Sequence, residues 1–197
     1  MPIIIAMDLE TTGLLNEHTD DPLQQPGITE IGCSRWDTET LTTTVFSMLI
    51  NPEKPIEEKA TAITGITDEK VKDAPNLREA FLSMTDFFNG AHILLTYNGD
   101  FFDIPLLNFN LQRYGLATRF PWPSRQMDLM IIGGDYMFMK SRSGNKFPKL
   151  IELYQHLFQE DFPDQHRAIH DAQATMDCAL YLVTKGVINF DISISKD

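Results

Sequence analysis

Residues Ile3-Ile4-Ile5-Ala6-Met7-Asp8-Leu9-Glu10 join an apolar, branched run to two carboxylates two positions apart. Such a run favours a buried strand, because branched side chains pack well on a pleated surface. On a strand, residues i and i+2 share one face, roughly 6.7 Å apart along the backbone. Asp8 and Glu10 therefore emerge side by side at the end of a core strand. Like charges held together in a poorly solvated place are costly unless a cation sits between them. The pattern points to a divalent metal at the strand end. A half-buried strand whose acids face water would carry the same letters, so the remainder of the chain has to decide. Thr11-Thr12-Gly13 then closes the strand in a tight turn, with hydroxyls and amides expected to be free.

The length of 197 residues predicts one domain over residues 1–190 with a short tail at 191–197. A composition of 43% hydrophobic and 22% charged residues is that of a globular protein with a proper core. There is no apolar run of transmembrane length and no signal-peptide pattern, so a cytoplasmic location without membrane attachment is expected. Cys33 and Cys178 are far apart in sequence and read as two buried, reduced thiols. The net charge of −12 should repel a polyanion. Its distribution is uneven, however. Residues 113–149 carry Arg113, Arg119, Arg125, Lys140, Arg142, Lys146 and Lys149 against Asp128 and Asp135, a net +5 that leaves the remainder at −17. This segment, with Phe120 and Trp122 between Arg119 and Arg125, is expected to face a nucleic-acid strand or to be a solvated basic loop.

Along the chain, residues 14–27 form a long polar loop, and 28–36 and 41–50 read as two antiparallel strands. With the first strand they make a meander. Residues 55–73 mix short helical patterns with turns, Thr67 being an N-cap with Lys70 at N3. Leu77, Ala80, Phe81, Met84, Phe87 and Phe88 mark a helix over 76–89. Residues 92–97 predict a strand parallel to the first, since a helix precedes it. Asp103 then sits where an N-cap belongs, with Pro105 in the first turn of a helix running to Tyr114. Residues 127–136 and 150–158 read as further helices, with 141–146 a flexible basic loop between them. The last helix carries its apolar face on Ile169, Ala172, Met176, Ala179, Leu180 and Val183 and ends at Lys185-Gly186. Asp171 is fixed in its first turns, and His166 lies before it on a loop. A parallel fourth strand would bring Asp103 to the same sheet end as Asp8 and Glu10, where ligands of open α/β sheets bind.

D-x-E-T-T-G-L after an apolar strand, N-x3-F-D opening a helix and H-x4-D opening the last helix occur here in that order. Together they resemble the DEDDh family of 3′–5′ exonucleases in the ribonuclease H-like superfamily, which includes the proofreading subunit of bacterial replicative polymerases, ribonuclease T and oligoribonuclease. The similarity covers roughly residues 3–185, and Ile63-Thr64-Gly65-Ile66 is similar to a turn common in that family. The resemblance implies an α/β ribonuclease H-like fold: a mixed five-stranded sheet, part antiparallel meander and part parallel, flanked by helices. It implies that Asp8, Glu10, Asp103 and Asp171 bind two Mg²⁺ or Mn²⁺ ions, with Asp8 bridging them, and that His166 is the general base. It also implies that Leu9, Thr11, Thr12, Leu14, Asn98 and Phe102 touch the terminal nucleotide. His170, Asp100 and the long first loop depart from the family pattern without removing a ligand.

Oxygen ligands suit Mg²⁺ and Mn²⁺, whereas Zn²⁺ prefers His and Cys. Such a site would release nucleoside 5′-monophosphates from the 3′ end of single-stranded or frayed DNA. An exoribonuclease with the same machinery and a non-catalytic interaction module are the competing readings. The implied partners are a nucleic acid with a free 3′ end and a polymerase or other replication or repair protein; a homodimer is also open.

Overall fold

In a computed structural model, residues 2–138, 140, 141 and 144–190 are described. The expected tail at 191–197 and Arg142 lie outside them, as do the side chains of Lys140 and of residues 141–145. The sheet is built from β1 (Ile3–Thr11), β2 (Ile28–Asp37), β3 (Thr42–Leu49), β4 (Ile93–Thr96) and β5 (Arg125–Asp128), in spatial order β3-β2-β1-β4-β5. β1, β2 and β3 pair antiparallel, whereas β4 runs parallel to both β1 and β5. This is the ribonuclease H-like arrangement expected from the motifs. The helices are α1 (Glu58–Thr64), α2 (Asp68–Val71), α3 (Leu77–Phe88), α4 (Asp103–Arg113), α5 (Leu129–Met137), α6 (Leu150–Phe158) and α7 (Ala168–Thr184). A two-residue hairpin, β6 (Lys140–Ser141) with β7 (Gly144–Asn145), stands where a flexible loop was expected. Among the described residues, no helix is long and apolar enough to cross a membrane.

The alternation of β1 divides the core. Ile5, Met7 and Leu9 pack with Phe81, Met84 and Phe88 of α3 and with Leu106, Leu107 and Leu111 of α4. Ile4 and Ala6 pack on the other face with Leu153 and Leu157 of α6 and Met176, Ala179 and Leu182 of α7. Each fully buried side chain of this size contributes about 1.5–3 kcal/mol. Asp8 and Glu10 continue the Ile4–Ala6 series, so they end the face that α7 covers. α3 starts on a capping box, in which Asn76 accepts from the Glu79 amide (3.1 Å) and Glu79 accepts from the Asn76 amide (2.9 Å). Thr67 caps α2 through the Lys70 amide as its spacing predicts.

Two further expectations fail. Residues 127 and 128, expected to open a helix, instead end β5, because the backbone of 125–128 pairs with β4 from Ile93↔Arg125 to Thr96↔Asp128. Arg, Gln, Met and Asp have no strand pattern, and this edge strand is made by main-chain pairing alone. Asp103 is the first helical residue of α4 and not its cap. Its side chain leaves the helix and accepts a hydrogen bond from the Leu9 amide at 3.0 Å.

The contact that seats α7 is a backbone approach. Gly32 of β2 lies opposite Asp8 in register, and a Cβ there would overlap the main chain of Ala168 and Ile169. Gly32→Ala should push the start of α7 off the sheet. We expect a loss of about 1–3 kcal/mol in urea unfolding, the usual scale for overpacking, together with a weaker response of melting temperature to divalent metal. Wild-type stability would show that α7 is not seated through this glycine.

Candidate active site

Four segments meet at the carboxyl end of β1. Asp8 and Glu10 come from the strand itself, and Asp171 comes from the first turn of α7. One carboxylate oxygen from each of these three lies within 4.8 Å of the others, a group able to hold a metal ion. All three are half-buried. Asp103 is 4% exposed and stands beside them, anchored to the Leu9 amide between Asp8 and Glu10. His166 is exposed, on the loop before α7, with a left-handed φ of 65°. Its amide donates to Asp171 Oδ2 at 2.8 Å. The structure thus gathers all five expected residues at one sheet end, with Asp103 adjoining the three-carboxylate cluster.

The electrostatics match crowding of like charges. Burial pushes the Asp8 carboxyl well above the carboxylate range, and Asp103, Asp171, Glu10 and Glu30 push it further. Burial, then Asp171, Glu30 and Asp103, raises Glu10 to about 8, against a smaller opposing pull from Arg167. Asp103 is raised to about 7, chiefly by burial, although its bond from the Leu9 amide works in the opposite direction. Burial also raises Asp171, while the His166 amide and the neighbouring imidazoles oppose it. These oxygen donors, mutually repelling and poorly solvated, fit a hard divalent cation.

Beside the cluster is a pocket of about 400 Å³ whose lining includes Leu9, Thr11, Leu14, Ile63 and Phe102. Leu14 is 83% exposed at its rim. Four of the six expected substrate residues therefore share this pocket. Thr12 and Asn98 do not line it. The hydroxyls expected to be free are engaged instead. Thr11 Oγ1 donates to the Gly13 carbonyl (2.7 Å), and Thr12 Oγ1 accepts from the Gly27 amide (3.0 Å). They hold the turn together. Asn98, at φ 64°, donates its amide to Asp128 Oδ1 at 2.9 Å.

Asp128 and Glu30 were not singled out in the sequence. Asp128 is buried at the end of β5, where it accepts from the backbone amides of Asn98, Asp100 (3.2 Å) and Met130 (2.9 Å). It thereby shapes the loop that delivers Asp103. The signal was an Asp just before an apolar helix, obscured by starting that helix two residues early. Glu30 is fully buried on β2, directly across from Glu10, and is paired with Arg167 at 2.8 Å. Its signal was a single acid inside an apolar strand.

Among the described residues, the basic segment does not form one strand-facing surface. Arg113 donates to the Pro52 carbonyl and Arg119 lies over the Phe81 ring. Arg125 is level with Ile4, about 13 Å short of Asp8 along the strands, and donates to the Asn189 carbonyl. Phe120 is buried between Phe88 and Trp122, not available for base stacking. The stretch before α6 does approach the carboxyl end of β4, where Tyr97 donates to the Pro148 carbonyl at 2.6 Å.

The exonuclease (RNase T) family model matches residues 5–179. The chain belongs to this family. It is 28% identical over 182 residues to a PolC-type DNA polymerase III of Caldanaerobacter subterraneus subsp. tengcongensis, covering 92% of this chain and 12% of that protein. It is 30% identical over 117 residues to the DNA polymerase III epsilon subunit of Haemophilus influenzae, covering 58% of this chain and 43% of the subunit. The chain thus spans a small part of the PolC-type relatives. Among solved structures, the nuclease domain of 3′hExo, a DEDDh family member bound to rAMP, superposes with a TM-score of 0.73 at 20% identity, covering 96% of this chain and 97% of that one. E. coli exonuclease I in complex with a dA16 oligonucleotide gives 0.70 at 19% identity, covering 93% and 41%. These two likenesses establish the fold.

The raised carboxyls set a pH dependence. At low pH both folded and unfolded chains are protonated at these positions. As pH rises, the unfolded groups ionise first, at ordinary values of 3.8 and 4.5, whereas folded Asp103 and Glu10 keep their protons to about 7 and about 8. The folded form binds more protons through this window, so stability falls as pH climbs. In EDTA, the melting temperature should drop by roughly 5 °C or more from pH 5 to pH 8, the scale of a few kcal/mol at this size. Mg²⁺ or Mn²⁺ should flatten the slope by binding the ionised folded form, and Glu10→Gln should reduce it without metal. A melting temperature indifferent to both pH and metal would contradict the crowded cluster.

Proposed function

We propose that this chain is a metal-dependent 3′–5′ exonuclease that releases nucleoside 5′-monophosphates from the 3′ end of single-stranded or frayed DNA, with residues 1–190 acting as one domain. The observation that carries this reading is the convergence of Asp8, Glu10 and Asp171 within 4.8 Å beside Asp103 and His166. Family membership makes hydrolysis of a phosphodiester the reaction such a cluster would serve.

In this reading Asp8, Glu10 and Asp171 are the residues that would hold one Mg²⁺ or Mn²⁺ ion, and Asp8 and Asp103 those that would hold a second. When bound, such ions supply positive charge for activating water and stabilising the leaving 3′-oxygen. The chain's own residues do the rest. Leu9, Leu14 and Phe102 bracket the terminal base and sugar in the pocket beside the cluster. Thr11 and Thr12 act through their turn, and Asn98 through its loop. His166 accepts the proton of the attacking water, a task suited to an imidazole near neutral pH. Its loop position leaves the ring free to swing while Asp171 fixes the backbone beside it.

DNA is favoured over RNA because the matched relatives are named as DNA polymerase III components. An exoribonuclease reading is favoured by one observation, the rAMP bound to the structural neighbour of matching length. A replication polymerase is the partner these relatives suggest, and a cytoplasmic location follows from that role.

The test is digestion of 5′-labelled DNA and RNA oligonucleotides in parallel with Mg²⁺ or Mn²⁺. A ladder shortening from the 3′ end, faster on DNA, is expected. Release from the 5′ end, or no cleavage, would overturn the reading. His166→Ala should lower kcat by about 10²- to 10⁴-fold, the usual worth of a general base, while keeping the metal-induced rise in melting temperature. Wild-type turnover in that variant would remove His166 from the mechanism.

A further inference from the structure

The Glu30 side chain is 1% exposed and sits directly across from Glu10 on the neighbouring strand. Placing another carboxylate there adds repulsion to an already crowded site, and an apolar residue would fill the position at less cost. Arg167 neutralises it through both Nε (3.1 Å) and Nη2 (2.8 Å), a fork that fixes direction as well as charge. The Ala168 amide donates to the same carboxylate at 3.3 Å. Residues 167 and 168 are therefore pinned to β2 from above, and the bare backbone at Gly32 lets the next turn lie flat. Arg167 is the residue immediately after His166.

His166 adopts a left-handed backbone, which a residue with a Cβ keeps only when its surroundings enforce it. Two contacts enforce it here. One is the bond from its own amide to Asp171. The other is the locked position of the following residue. We propose that Glu30 and Arg167 are positioning residues that hold the turn at 166 and so set the reach of the His166 imidazole toward the carboxylate cluster. This inference rests on the reading of His166 as the general base.

The test is a double-mutant cycle with the full chain, a single-stranded DNA or RNA oligonucleotide, whichever is cleaved faster, and Mg²⁺. Arg167→Ala should lower kcat by about 10- to 100-fold, the scale of a misplaced catalytic group, with KM and the metal-induced rise in melting temperature little changed. Arg167→Lys keeps the charge but not the fork and should recover only part of the rate. In the His166→Ala background the same Arg167→Ala change should cost less than about twofold, because the group it positions is gone. Glu30→Gln runs the same cycle without leaving a buried charge unpaired. An equal loss in both backgrounds, or no loss in either, would overturn the inference. His166→Ala with wild-type turnover would instead overturn the general-base reading, so the two failures are distinguishable.

Discussion

Repulsion among carboxylates at the end of β1 is the constraint around which the molecule is arranged. Asp8 and Glu10 cannot avoid each other, since the pleat puts them on one face. Asp171 and Asp103 arrive from helices on opposite sides of the sheet. Without a cation the folded chain is expected to compromise by keeping protons on some of these groups well above their ordinary range. Folding energy from two large apolar layers tolerates that expense. A smaller core would have less margin for a site so unfavourable in isolation.

Delivery of the four acids depends on main-chain contacts more than on side-chain packing. α7 reaches β2 because Gly32 offers no Cβ. The loop after β4 keeps its shape because Asp128 collects three amides. Asp103 is held by an amide of β1. Contacts made by the main chain, or through the close approach that Gly32 permits, leave no side-chain rotamers to vary, and an acid placed by them keeps its distance from its neighbours. That rigidity separates a metal-type cluster from a merely acidic surface.

Much of this was legible in the chain itself. β1, β2, β3, β4 and α3 follow from branched runs and amphipathic spacing, and the predicted 150–158 helix is α6. The five motif residues come together because each lies near a strand end, at a helix start or on the loop just before one, and their motifs mark those places directly. The failures share a cause. β5 has no pattern of its own and exists only through pairing with β4. Asp103 has the spacing of a cap, yet a tertiary donor, the Leu9 amide, outcompetes the local one. Thr11 and Thr12 looked like free ligands because their acceptor and donor, Gly13 and Gly27, are backbone groups that sequence cannot align. The basic segment suggested a surface because sequence counts charges without showing where each is anchored.

The Leu9–Asp103 bond lets charge and architecture be varied separately. An amide side chain at position 103 retains a carbonyl oxygen able to receive the Leu9 proton, whereas a methyl group cannot. Asparagine there would remove the negative charge while the strand end keeps its shape. Alanine would confound the loss of one negative charge with a slackened β1 terminus. The choice between those replacements is dictated by one hydrogen bond spanning 94 positions of chain.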